Sequence, residues 1–191
     1  MAAPLGSTAM DTAPAYSRTA IALHWLAAAL IVANLGLGVS MVELPLSPLK
    51  LRLFGWHKTI GLTVLLVAAA RLAWRYANPP PPPVAMPEWQ RRAAAAAHAA
   101  LYVLMLAVPL SGWIYSSSTG VSVVYLGLVA LPDLVAKDKA LAAVLKVVHV
   151  TLNLGLVSLI GVHAGAALKH HFVDRDPVLR RMLPFLRRGA P

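Results

Sequence analysis

Cysteine is absent from this chain of 191 residues. That excludes structural disulfides, thiolate-bound zinc, iron–sulfur clusters and thioether attachment of haem through C-x-x-C-H, leaving histidine, carboxylate and methionine as possible metal ligands. Acidic side chains are scarce as well: 7 Asp and Glu stand against 17 Lys and Arg, and charged residues make up only 13% of the chain. Against these shortages stand a hydrophobic fraction of 59% and a mean hydropathy of +0.68, values that belong to a membrane protein. The net charge of +10 raises nucleic acid as a partner, but the bases are spread around apolar spans and not gathered into one domain. Membrane topology explains them better, and no nucleic-acid partner is expected. The first seventeen residues lack an apolar core, so they read as a loosely attached tail and not as a cleavable signal peptide.

Four apolar segments follow. The first runs from about Arg18 to Val42 behind the cap Ser17, and the second from the cap–proline pair Ser47-Pro48 to about Tyr76. The third runs from about Trp89 to Ser116 with Pro109 inside it, which should kink it, and the fourth from about Lys139 to Phe172. Each exceeds the ~20 residues needed to cross ~30 Å of hydrocarbon. A polyproline spacer, residues 79–83, separates the second from the third. Between the third and fourth lies VSVVYLGLVAL, too apolar for an ordinary loop and too short to span, hence interfacial or re-entrant. The expected organisation is a flexible tail (1–16), an all-α four-helix transmembrane domain (17–184) and a basic C-terminal tail (185–191).

Basic residues set the orientation. Arg18, Arg71, Arg75, Arg91, Arg92, Lys169, Arg175, Arg180, Arg181, Arg187 and Arg188 fall on the side of the termini, whereas Lys50, Arg52, Lys58, Lys137, Lys139 and Lys146 fall on the other. Both termini are therefore expected in the cytoplasm and the protein in a bacterial inner membrane.

Histidines then acquire depths. His149 and His163 lie fourteen residues apart in one apolar helix, so ~1.5 Å and ~100° per residue put them ~21 Å apart and within ~40° on one face. His24 shares the cytoplasmic-side level with His163, and His57 the outer level with His149. A histidine in hydrocarbon normally faces the bundle interior, and two pairs at matched depths suit bis-imidazole ligation of haem, with axial nitrogens on facing helices. Small residues would make room: Ala27, Ala28, Ala29, Gly61, Gly155, Gly161, Ala164 and Gly165. The same residues also suit plain close packing of membrane helices. Arg71 shares a face with His57 at the inner level, placed for a haem propionate or for snorkelling into headgroups. Around the outer pair, Lys50, Arg52, Lys58, Lys137, Lys139 and Lys146 outnumber Glu43, Asp133 and Asp138. Such a patch would steer an anion toward a redox centre, or would pair with propionates and lipid headgroups.

The strings YSRTAIALHWL, GWHKTIGLTVLLVAAARLAWR, AVPLSGW and GVHAGAALKHHFVDRDPVLRRMLP resemble the prokaryotic cytochrome b561 family, in particular its four-helix, di-haem superoxide:ubiquinone oxidoreductase type. The resemblance covers about Tyr16 to Pro184. It implies two haem b groups, the inner one on His24 and His163 and the outer one on His57 and His149. It implies no axial role for His98, near the start of the third helix. His170 and His171 follow at the cytoplasmic face, where His170 is a candidate for a quinone or propionate contact.

The function expected is a haem-dependent, quinone-linked oxidoreductase that passes electrons from a periplasmic donor, superoxide being favoured, to ubiquinone. His98, His170 or His171 would relay the protons that quinone reduction consumes. One alternative is a cytochrome b subunit that passes quinol electrons to a separate redox partner. Another is a non-redox metal transporter or sensor built on the same histidines. A ferric-reductase-like bundle fits less well, because only the fourth helix carries a widely spaced pair.

Overall fold

The structure is a computed structural model and describes residues 15–183. Four long helices dominate it: α1 (Arg18–Glu43), α2 (Pro48–Ala77), α3 (Glu88–Thr119) and α4 (Lys139–Phe172), all long and apolar enough to cross a membrane. The expected arginines 187 and 188 and the tail from 185 lie outside the described residues, as do residues 1–14.

Helix starts follow from local chemistry. Ser17 Oγ accepts from the Ala20 N–H, Ser47 Oγ from the Lys50 N–H, and an Asp138 carboxylate oxygen from the Ala140 and Leu141 N–H groups, so each cap satisfies donors that a helix leaves open. Pro48 stands in the first turn of α2, where its missing N–H costs nothing. Gly120 ends α3 in the left-handed region at φ 76°, a conformation that a side chain would strain. Helix α3 continues through Pro109, whose missing N–H leaves the Met105 carbonyl without its intrahelical donor.

The buried core is a narrow waist of Ala27, Ile31, Val64, Ala68, Met105 and Leu156. Alanines there let α1 and α2 approach closely. Helix α1 packs on α2, α2 on α3 and α3 on α4, but no Cα of α4 comes within 8 Å of one in α1 or α2. The bundle is therefore two helical hairpins joined along the α2–α3 seam and open on the opposite side.

The apolar connection before α4 folds into a small antiparallel hairpin, β1 (Val124–Tyr125) and β2 (Val129–Ala130), with Tyr125 opposite Val129. Leu126 and Gly127 turn it with φ 54° and 72°. Tyr125 Oη lies 3.3 Å from Thr63 Oγ1, six residues along α2 from His57 and therefore ~9 Å farther into the bundle. The Tyr125 side chain thus reaches into the bundle while Leu126, Leu128 and Val129 of the same hairpin stay exposed. Its far end is pinned to α3, where Ser117 Oγ accepts from the Leu134 N–H and the Ser118 carbonyl from the Asp138 N–H. After α4 a 3₁₀ turn, η1 (Leu179–Arg181), folds back against α4.

Candidate functional site

Four histidines meet across the open side of the bundle. The His57 and His149 ring centroids, on α2 and α4 near the hairpin, are 6.4 Å apart, and those of His24 and His163, on α1 and α4 toward the termini, are 6.3 Å apart. A metal–nitrogen bond of about 2.0 Å places two trans nitrogens about 4 Å apart, and imidazole centroids therefore about 6 Å apart. Both pairs stand at that spacing while their helices stay apart.

At the hairpin-side pair, neighbouring carbonyls hold both rings. His57 Nδ1 donates to the Asn34 carbonyl at 3.2 Å. His149 Nδ1 lies 3.1 Å from the Val108 carbonyl and 2.9 Å from Ser111 Oγ, which itself donates to the Val108 carbonyl at 2.7 Å. With its proton on Nδ1, each ring keeps the Nε2 lone pair for a metal. Two glycines admit the rings: a Cβ at Gly112 would sit 2.9 Å from His149 Cε1, and one at Gly38 would sit 3.3 Å from His57 Cε1. Between the rings opens a cavity of ≈ 600 Å³ lined by residues including Ile31, Leu35, Val64, Pro109 and Leu156, within the roughly 300–1,000 Å³ range of cofactor sites. A flat apolar macrocycle with two axial nitrogens fits these residues.

The terminal-side pair is built differently. Arg71 Nη2 donates to His24 Nδ1 at 2.9 Å, and its guanidinium lies 5.3 Å from the Tyr102 ring centroid. His98 stands eleventh in α3, not at its start, and its ring centroid is 5.4 Å from that of His163. The extra turns of α3 before His98 bring a third imidazole beside the pair. A Cβ at Gly161 or Gly165 would meet nothing within 4 Å, so α4 leaves room on this side too.

A family model described as "Prokaryotic cytochrome b561" matches residues 15–185. The chain belongs to that family. It is 34% identical to "Cytochrome b561 homolog 2" of Escherichia coli (strain K12), over 91% of this chain and 93% of the relative, and 34% identical to "Cytochrome b561 homolog 1" of the same organism, over 88% and 97%. It is 31% identical to "Probable superoxide oxidase CybB" of Yersinia pestis, over 88% and 96%. This b561-type protein is accordingly a membrane electron-transfer protein of a family that binds b-type haem.

The six cations near the hairpin end divide into two groups. Lys50 Nζ donates to the Leu44 carbonyl at 2.6 Å and to that of Val42 at 3.3 Å, capping α1, and Lys58 Nζ donates to the Val121 carbonyl at 3.2 Å. The Lys137 stem crosses Gly120, whereas Arg52, Lys139 and Lys146 are exposed. At the other end of the b561 bundle, His170 Nδ1 donates to Asp176 at 2.5 Å and lies 3.2 Å from Asp174, which also pairs with Lys169. His171 Nδ1 is buried with no hydrogen-bond partner among the described residues. Sequence reasoning missed Gly38, Ser111, Gly112, Asp174 and Asp176; the string AVPLSGW held two of them, but only the fold shows that it faces His149.

Proposed function

We propose that this cytochrome holds two b-type haems, one between His24 and His163 and one between His57 and His149, and carries electrons from superoxide at the periplasmic face to ubiquinone in the inner membrane. The observation that carries this reading is the open side of the bundle, where paired imidazoles face one another at 6.3 and 6.4 Å while α4 keeps its backbone beyond 8 Å from α1 and α2. Two small metal ions would need no such gap, which disfavours a metal transporter.

Bound haem supplies reversible one-electron chemistry at its iron, so oxidation of superoxide needs contact and potential but no general base. The protein's part is placement. The Asn34 and Val108 carbonyls fix the two hairpin-side imidazoles, and Arg52, Lys139 and Lys146 draw a small anion toward them. The excess of Arg and Lys at the terminal end supports that end as the cytoplasmic side and the side of proton uptake, with His98 and the His170–Asp176 pair as groups to carry protons to a quinone. The similarity to a protein named as a probable superoxide oxidase supports the donor.

An oxidised-minus-reduced spectrum with pyridine haemochrome quantification tests the cofactor count, with two haems per chain expected. Stopped-flow mixing with superoxide should reduce them and, with ubiquinone present, yield ubiquinol. Haems that stay oxidised on mixing rule out the donor.

A further inference from the structure

The segment after α4 returns to the level of the terminal-side histidines. Trp25 Nε1 donates to the Met182 carbonyl at 2.8 Å, and the Trp25 ring stacks edge-on against His24 with centroids 5.1 Å apart. Beside Met182, Arg181 is only 9% exposed. One guanidinium nitrogen, Nη1, donates to the Pro82 carbonyl at 2.7 Å and so ties the segment to the polyproline spacer. Its Nε is buried and has no partner among the described residues. A guanidinium is always charged and offers five donors in a planar fork, and burying it without an anion is costly. His171 Nδ1, in the last turn of α4, is a second buried polar atom without a partner among the described residues. Arg71 is already committed to His24 and Tyr102.

We propose that Arg181 forms a seat for an oxyanion at the terminal end of the bundle. The matching chemistry is a carboxylate or phosphate that takes the free edge of the guanidinium. Two sources offer it: a propionate of the haem held by His24 and His163, which rests on the function proposed above, or the phosphate of an anionic lipid. Either anion would lock the returning segment over the terminal-side histidines, because Arg181 would then bridge it to the spacer and to the ligand at once.

The test uses purified holoprotein, comparing wild type with Arg181→Met and Arg181→Lys. With a propionate as occupant, Arg181→Met lowers the midpoint potential of the terminal-side haem and leaves the other unchanged, while Arg181→Lys keeps most of the wild-type value. Esterifying the haem propionates then weakens binding of the terminal-side haem to wild type and leaves its binding to Arg181→Met unchanged, because only wild type has the ion pair to lose. With lipid as occupant the potentials do not move; instead, phosphatidylglycerol nanodiscs raise the melting temperature of wild type over phosphatidylcholine nanodiscs, and Arg181→Met loses that increment. Unchanged potentials together with an unchanged lipid increment overturn the seat. Should Arg181→Met fail to fold, Arg181→Gln and the esterified haem in wild type answer the same question. A wild type lacking the terminal-side haem altogether would instead refute the two-haem reading.

Discussion

Arg71 Nη2 lies 2.9 Å from His24 Nδ1, and because a guanidinium only donates, that nitrogen accepts and the imidazole proton sits on Nε2. The opposite tautomer holds at His57 and His149, where backbone carbonyls take the Nδ1 proton. One pair is thus ready for a metal, and the other must first give up a charge-assisted hydrogen bond. Haemin added to apoprotein should fill the His57–His149 site first. With the sites isolated by His163→Ala and His149→Ala, Soret titration should show the first variant binding haemin about tenfold more tightly or better, since such a bond is worth about 1.5–3 kcal/mol. Equal affinities would refute this order.

Each of those two variants should retain one haem of two by pyridine haemochrome assay. Changing His98 to Ala should retain both, since its ring faces that of His163 from the side of α3 while His24 faces it from α1.

Gly112→Ala should displace His149. A methyl group 2.9 Å from Cε1 is closer than side-chain carbons pack, and the alternative is movement of helix backbone. The expected result is loss of most of the haem at that site with the other intact, read from the amplitude of the two steps in a redox titration. Gly38→Ala, with 3.3 Å to His57, should have a milder effect of the same kind.

Ser111→Ala removes one of two acceptors from His149 Nδ1 and leaves Val108. A less polarised imidazole is a weaker donor to iron, which disfavours the ferric state. The midpoint potential of that haem should rise by tens of millivolts, below the ~59 mV of a tenfold change for one electron.

Neutralising Arg52, Lys139 and Lys146 together should slow the reaction with superoxide several-fold at low salt and flatten its dependence on ionic strength. Lys58→Met should act on stability instead, because its ammonium holds the Val121 carbonyl. A thermal melt beside the kinetic assay separates the two.

The helices were legible because membrane spans announce themselves by length and apolarity, and Ser17, Ser47-Pro48 and Lys139 marked boundaries that the structure places within a few residues. Helical arithmetic on His149 and His163 put them at the levels of His57 and His24, whose rings lie 6.4 and 6.3 Å away, but gave no sign that His98, at 5.4 Å, is the ring nearest His163. What stayed hidden depends on contacts between helices that no single-helix period encodes. Gly112 matters because α3 meets α4 there, and Arg181 because the chain doubles back after Phe172. The role of VSVVYLGLVAL was half visible: its length excluded a crossing, but only the turn at Leu126 and Gly127 makes it a hairpin.

The open side has a consequence for how the protein is made. Of the other three helices, α4 packs its backbone closely against α3 alone, so a chain leaving the translocon can form both helical hairpins and still be open between α4 and α1. Cofactor insertion then becomes the closing step of assembly, and the fraction of mature protein tracks the cell's haem supply and not only its synthesis. Under haem starvation the same gap is a mark of immaturity, left along the face of α4 turned toward α1 and α2 while α3 still holds that helix through the most extensive helix–helix packing of the bundle.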